Sequence, residues 1–282
     1  MRSPKPELST DVVKARRNGL FVVSIGCLVL FVVMICLLIL ADIFYLLHWG
    51  VGVEKFFKIL TSPQVLDCLR RSFLTSFIAL LLIVVTAVPV GYALSRYRFF
   101  GHSIMNTFVD MPIVLPPVVL GISLLAFFGS PMGNWIKVAL QHYGISLVSS
   151  VGIVMCQYIV SVSYCIRAMK ASFDNVDRRL EHAALTLGCS QEQAFMRVTM
   201  PLARNGLIAG CVMAWARAIG VFGPLMVFVG TGSRVQVMPT NLWLELNVGN
   251  IENALVVALI TMGIASIALV VAHCMAPGRK WS

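Results

Sequence analysis

The sequence predicts an all-α integral membrane protein with six transmembrane helices, and three observations carry that expectation. Of its 282 residues 59% are hydrophobic and 12% charged, with a mean hydropathy of +0.88, more apolar surface than a soluble domain can hide. Long apolar runs recur along the whole chain. One stretch interrupts them, Asp174 to Gly206, which gathers Asp174, Asp177, Arg178, Arg179, Glu181, Glu192, Arg197 and Arg204. The formal charge of +10 would point to nucleic acid in a soluble chain. In a membrane chain it has a plainer cause, basic residues collected on one side of the bilayer, so lipid is an expected partner and nucleic acid is not.

The first span is expected from Gly19 to Ala41, a charge-free run behind a basic tail that includes Lys5, Lys14, Arg16 and Arg17. It exceeds the ~20 residues needed to cross hydrocarbon and is too long for the apolar core of a signal peptide, so it reads as a retained helix. Asp42 lies near its far end, where a carboxylate reaches the interface. Residues 48–71 read as a polar loop. A second span follows from Ser72 to Ser95, with Pro89 and Gly91 marking a bend. The third, Thr107 to Phe128, holds Pro112, Pro116 and Pro117; each proline removes a backbone donor, so this helix must kink or break. Such a break at membrane depth is tolerated only where protein or a water-filled path satisfies the backbone.

Residues 129–146 read as an outer loop, Leu147 to Arg167 as the fourth span and Gly206 to Val229 as the fifth, interrupted by Arg217. A second outer loop near 230–250 has a short helix expected at Thr240 to Leu246. The sixth span runs from Ala254 to Met275. The domain reading is residues 1–66 as tail, first span and outer loop, 67–275 as the core, and 276–282 as a second tail. Six spans put both termini on one side. That side then carries fifteen Lys and Arg, against six on the other (Lys55, Lys58, Arg70, Arg71, Lys137 and Arg234). The positive-inside rule places the fifteen, and the 174–206 stretch with them, in the cytoplasm.

Within that stretch two short helices are expected. Asp174 can cap the first, with Asp177 three residues on, and Val176, Leu180, Ala183 or Ala184, and Leu187 recur at helical spacing. Gly188 suits the left-handed residue that closes a helix. Ser190 and Gln193 form a capping box for the second helix, which Pro201 is expected to end. An ordinary cytoplasmic hairpin would satisfy the same pattern.

Glu181, Ala183, Ala184, Gly188, nine residues, then Val198-Thr199-Met200-Pro201 resembles the EAA loop of ABC importer permeases, whose pattern ends in Ile-x-Leu-Pro. This chain places His182 inside the run and substitutes Val198 and Met200. The resemblance implies a type I ABC importer permease fold whose loop is the cytoplasmic coupling helix, docking into a cleft on a separate ATPase subunit. Small residues at Ala183, Ala184 and Gly188 let another surface approach closely. It further implies a homodimer and an external substrate-binding protein as partners.

Arg96-Tyr97-Arg98-Phe99-Phe100-Gly101, the segment Met111 to Gly121, and Ala216-Arg217-Ala218-Ile219-Gly220-Val221-Phe222-Gly223 resemble the molybdate, tungstate and sulfate branch, with Val221 where that branch usually has Glu. Pro116, Pro117 and Arg217 are therefore the candidates for the translocation path. Arg217 lies roughly 16 Å into its span, counting 1.5 Å per residue from Gly206. Two readings stand for it: a cation that offsets desolvation of an oxyanion, or a structural arginine satisfied by backbone carbonyls or a carboxylate such as Asp110.

No GxxxxGK[ST] phosphate loop occurs, so ATP hydrolysis is assigned to another chain and no catalytic residue is expected. The eight cysteines show no CxxC pair, and the five histidines show no HExxH spacing, so no cofactor or metal is expected. An intramembrane enzyme would need a Ser, His or Asp constellation, and an ion-driven transporter intramembrane carboxylates and an inverted repeat. The sequence presents neither. An importer of ferric iron, a polyamine or a phosphonate is the alternative within the family, separated by titration of the binding protein, while co-purification with an ATPase subunit separates an importer from the enzyme and the ion-driven transporter.

Overall fold

The computed structural model describes residues 10–45, 52–142, 144, 149–230 and 235–275. Lys5, Arg234, Arg279 and Lys280, and with the last two the 276–282 tail, lie outside the described residues. The chain forms two compact units, Met1–Phe56 and Phe57–Ser282. The first is built on one helix, α1 (Thr10–Tyr45), whose segment Ser24–Phe44 is long and apolar enough to cross a membrane. A short helix, α2 (Gly52–Leu60), spans the boundary between the units.

The second unit continues as α3 (Pro63–Arg96), α4 (His102–Val114), α5 (Pro117–Gly129), α6 (Pro131–His142) and α7 (Ser150–Asp174). Two short helices follow, α8 (Arg178–Thr186) and α9 (Gln191–Ala194), then one π turn, Phe195–Thr199. The chain closes with α10 (Met200–Ile219), α11 (Gly223–Phe228), α12 (Met238–Val248) and α13 (Ile251–Met275). The described residues are helices and their connections, with no strand among them.

The core sits around α7, which packs between α3 and α10. Near the α8–α9 end, Ile83, Ala87 and Leu94 of α3 meet Cys165, Met169 and Phe173 of α7 and Ala203 and Ala214 of α10. Toward the other end, Leu120, Leu124 and Phe128 of α5 pack with Ile153, Cys156 and Val160 of α7 and Leu225 and Phe228 of α11. Meanwhile Leu74, Phe77, Leu81 and Val85 of α3 are exposed. In water such a row would be a large apolar patch; against hydrocarbon it is the expected outer face.

Lipid supplies no hydrophobic drive between helices, so close approach and interhelical hydrogen bonds must hold them together. Both are present. Trp215 Nε1 donates to Ser76 Oγ at 3.1 Å, the Met238 amide donates to Ser72 Oγ at 2.8 Å, and Ser172 Oγ donates to the Ala203 carbonyl at 3.0 Å. Beside that last bond, a Cβ on Gly206 would fall 2.2 Å from Ser172 Cβ. Gly206→Ala is therefore expected to force α7 and α10 apart at a cost of about 1–3 kcal/mol. The check is a lower melting temperature of the detergent-purified protein.

Among the described residues three helices are long and apolar enough to cross a membrane, Ser24–Phe44, Pro63–Arg96 and Ser150–Asp174, or four if the bent pair α4 and α5 is one span. The remaining differences from the expected spans have local causes. The third span breaks at Leu115-Pro116, with α4 and α5 at 110°, because Pro117 starts a new helix where its missing N–H costs nothing. Pro112 is carried inside α4. The fifth span also breaks: α10 ends at Ile219, and α11 resumes at Gly223. The 48–71 loop contains α2 and the first turns of α3, the latter capped by Ser62. The 129–146 loop is largely helix α6. The short helix expected at Thr240 to Leu246 is present as α12.

Candidate functional site: a polar hairpin clamped to two apolar helices

The polar stretch folds as two short helices set on the ends of α3 and α7. Asp174 does not cap the first. It belongs to the last turn of α7, where its carboxylate accepts from Ser95 Oγ at 2.6 Å and Lys170 Nζ at 2.8 Å. Asp177 is the cap of α8 instead, accepting from the Arg179 amide at 2.9 Å. Both acids suit the role locally; α7 runs past its expected end at Arg167 to Asp174, and that decides between them. Gly188 has φ +89°, and Ser190 and Gln193 form the capping box of α9 at 3.0 and 3.2 Å.

Pro201 does not end the second helix. After α9 the backbone widens into the π turn Phe195–Thr199, where the Met200 amide donates to the Phe195 carbonyl, and runs on as α10. A proline clashes with the carbonyl four residues back and donates nothing. The wider turn relieves that clash, and Pro201 falls in the first turn of α10, where no donor is missed.

The hairpin's main anchor is Glu181. Its Oε1 accepts from Arg96 Nε at 2.9 Å, Arg96 Nη2 at 2.7 Å and Thr199 Oγ1 at 2.7 Å, while Tyr92 Oη donates to Oε2 at 3.4 Å. The two charged side chains are 6% and 13% exposed. Burial pushes the Glu181 carboxyl upward, but the hydrogen bonds from Arg96 and Thr199, the guanidinium's charge and the Tyr92 hydroxyl outweigh it, so its pKa lies below the ordinary value. Arg96 also donates to the Val176 carbonyl at 3.0 Å, and Arg178 returns a bond to the Ser95 carbonyl at 2.6 Å. On the other flank, the Tyr92 ring packs edge-on against Phe173 and Phe195. Gln191 Nε2 donates to Tyr97 Oη at 2.8 Å. One glutamate thus ties α8, the π turn and the end of α3 together.

The remaining residues of the loop motif divide by face. Ala184 is buried against the body, whereas Ala183, Gly188 and Pro201 are exposed. Leu180, Leu185, Leu187 and Met196 are exposed as well, Leu187 at 85%. The hairpin therefore seats itself by charge and presents an outer surface on which these apolar side chains stand among exposed charges such as Arg179, Glu192 and Arg197.

The candidate path residues occupy the two helix breaks, and the structure brings those breaks together. Gly121 packs against Pro224, where a Cβ would fall 2.7 Å from its Cα, and Gly223 packs against Val118. Pro116 and Pro117 open α5 beside this crossing. Arg217 lies in the last turn of α10, partly buried. Asp110, the carboxylate considered for it, is instead paired with Arg167. Val221 is buried among apolar neighbours that include Leu120 and Leu225, so the position supplies no carboxylate to the arginine. Sequence reasoning missed Arg96, Tyr92 and Thr199 as partners of Glu181. The only local signal was the arginine that ends an apolar run.

Residues 84–277 match the family described as binding-protein-dependent transport system inner membrane component. A probable molybdenum ABC transporter permease protein of Haloferax volcanii is 34% identical over 216 residues, 76% of this chain and 77% of that protein. The molybdate/tungstate transport system permease protein WtpB of Thermococcus kodakarensis is 35% identical over 186 residues, 66% of this chain and 70% of its own length. Among solved structures, a chain of a bacterial ABC transporter involved in the import of the acidic polysaccharide alginate superposes with a TM-score of 0.73 at 14% identity, covering 95% of this chain and 98% of the other. That last likeness is one of fold, and it is the type I importer permease fold. The family match over most of the length, on a helical body that carries a clamped polar hairpin, places the chain among the inner membrane components of binding-protein-dependent transport systems, the permease subunits of ABC importers.

Proposed function

We propose that this permease subunit carries a tetrahedral oxyanion, molybdate or tungstate ahead of sulfate, and that it does so as a homodimer of six-span chains. In this reading two separate ATPase subunits seat on the hairpins at the cytoplasmic face, where both termini also lie. An external binding protein delivers the anion to the opposite face. The observation that carries the coupling role is the Glu181–Arg96 clamp. A hairpin fixed to the ends of α3 and α7 transmits a push on its outer surface directly to helices that cross the bilayer. Ala183, Gly188 and Pro201 then shape the docking contact, while Ala184 packs inward against the body and Glu181 holds the hairpin in place.

The substrate class rests on the relatives' names and on a partly buried cation, Arg217, beside two broken helices. A fixed positive charge lowers the cost of desolvating a dianion without needing a tight site. Calorimetric titration of the partner binding protein with molybdate, tungstate and sulfate tests this. Binding of molybdate or tungstate in preference to sulfate is expected. Failure to bind any of the three, with uptake of ferric iron, a polyamine or a phosphonate, overturns the substrate assignment and leaves the permease assignment standing.

A further inference from the structure

A cavity of about 690 Å³ lies beside the hairpin, where α3, α4, α7 and α8 meet. Arg98, Lys170 and Arg178 line it, with Asp174 as its one carboxylate. Lys170 and Ser95 already occupy Asp174. Arg178 spends one donor on the Ser95 carbonyl and keeps the rest of its guanidinium. Arg98 is exposed and makes no hydrogen bond or ion pair with the described residues. The first turn of α4 adds to the positive field: its cap, Gly101, offers no side-chain acceptor, and His102 and Ser103 face the cavity. His102 Nδ1 has no hydrogen-bond partner among the described residues. The cavity therefore has more positive charge than its own carboxylate can balance, together with free N–H donors, which is the chemistry of a phosphate-group site.

Its position narrows the source of that phosphate. The cavity lies at the ends of two helices long and apolar enough to span the bilayer, Pro63–Arg96 and Ser150–Asp174, which is headgroup depth. Its apolar lining is Leu94 and Phe99, Phe100 next to Phe99 is fully exposed, and the other side of α4 exposes Ile104 and Phe108. A free anion has no use for such apolar surroundings, whereas acyl chains do. We propose that this cavity holds the phosphate headgroup of an anionic phospholipid of the inner leaflet, which braces the platform on which the hairpin sits. The choice of leaflet rests on the cytoplasmic placement of the hairpin; the site itself does not depend on which anion is transported.

Native mass spectrometry of the purified full chain tests the site without any transport readout. After exchange in mixed phosphatidylglycerol and phosphatidylcholine, the wild type is expected to retain phosphatidylglycerol selectively. Juxtamembrane charges each contribute about a fivefold factor, so Arg98→Gln should lose retention roughly fivefold and Arg98→Gln with Arg178→Gln about twenty-fivefold. Arg98→Gln touches no contact within the fold and so remains readable if the double variant fails to fold. Equal retention of the two lipids, or no change in Arg98→Gln, overturns the proposal. Displacement of phosphatidylglycerol by inorganic phosphate at millimolar concentration, with no lipid preference left, assigns the site to free phosphate and also overturns it. A chain that holds phosphatidylglycerol selectively yet co-purifies with no ATPase would sink the coupling role and leave the lipid site intact.

Discussion

Replacing Glu181 by alanine is expected to abolish ATP-driven uptake while the chain still inserts and folds in the membrane. The carboxylate is largely buried and turned inward; it answers Arg96, Thr199 and Tyr92 at once. Removing it leaves a guanidinium only 6% exposed without its counter-charge, a loss of about 3–5 kcal/mol for a buried pair broken on one side. That energy is local to the seat of the hairpin. The apolar contacts of α3 with α7 and α10 do not use it. The expected signs are protease cleavage within 174–199 and ATP hydrolysis no longer linked to transport, in a protein that extracts and elutes normally.

Arg96→Ala should match it, and the double change Glu181→Leu with Arg96→Met should recover stability beyond either single variant, because no charge is then stranded. The pH dependence has a definite sign. The folded pKa of Glu181 is lowered from 4.5, so the clamp's stabilisation is complete above that value. It is lost as the pH falls through the lower folded value. Seating of the hairpin is thus insensitive to pH near neutrality and fails only on strong acidification. A hairpin equally resistant to protease in the wild type and in Glu181→Ala would show that the anchor lies elsewhere.

What could be read from the sequence was what neighbours along the chain decide. The capping box at Ser190, the left-handed Gly188 and the proline break at residues 115–117 depend on a few consecutive residues, and each is where the pattern put it. The clamp joins residues 85 apart, and nothing near Glu181 announces that its partner ends another span. Asp174 was read as the cap with Asp177 inside the first turn, but α7 runs on to Asp174 and leaves the cap to Asp177. Pro201 was read as a stop because the rule for proline assumes an α-helix on both sides. A π turn upstream removes the clash and lets the chain continue. The helices α2 and α6 were hidden by polar residues on one face, a pattern that reads as a loop when length and hydropathy are the guides. Helix count has the same origin: α10 carries both Arg204 and Arg217, and α4 and α5 are each only 13 residues long.

Gly188→Val is expected to stop uptake as completely, by a different route. At φ +89° the residue closes α8 in a left-handed turn: its amide donates to the Leu185 carbonyl at 3.0 Å, and the Cys189 amide donates to the Ala184 carbonyl at 3.1 Å. These two bonds are the paired closure of a helix end, and they set the angle at which α9 leaves α8. A Cβ at this position would meet nothing within 4 Å, so no clash obscures the result. The whole cost is backbone strain, about 1–2 kcal/mol for a left-handed L-residue and more for a branched one. Relief of that strain reorients α9 and the exposed Leu187 and Met196, the surface assigned to the ATPase. Asparagine tolerates the left-handed region, so Gly188→Asn should retain most uptake. Gly249 separates strain from coupling: it has φ +85° and equally open space, but lies between α12 and α13, away from the hairpin. Gly249→Val bears the same local cost, so it should lower stability comparably and still transport. If both valine variants transport equally well per folded molecule, or if Gly188→Val is unaffected, the hairpin bend does not carry the coupling. If Gly188→Val alone stops uptake, the stroke of the motor passes through the angle between α8 and α9.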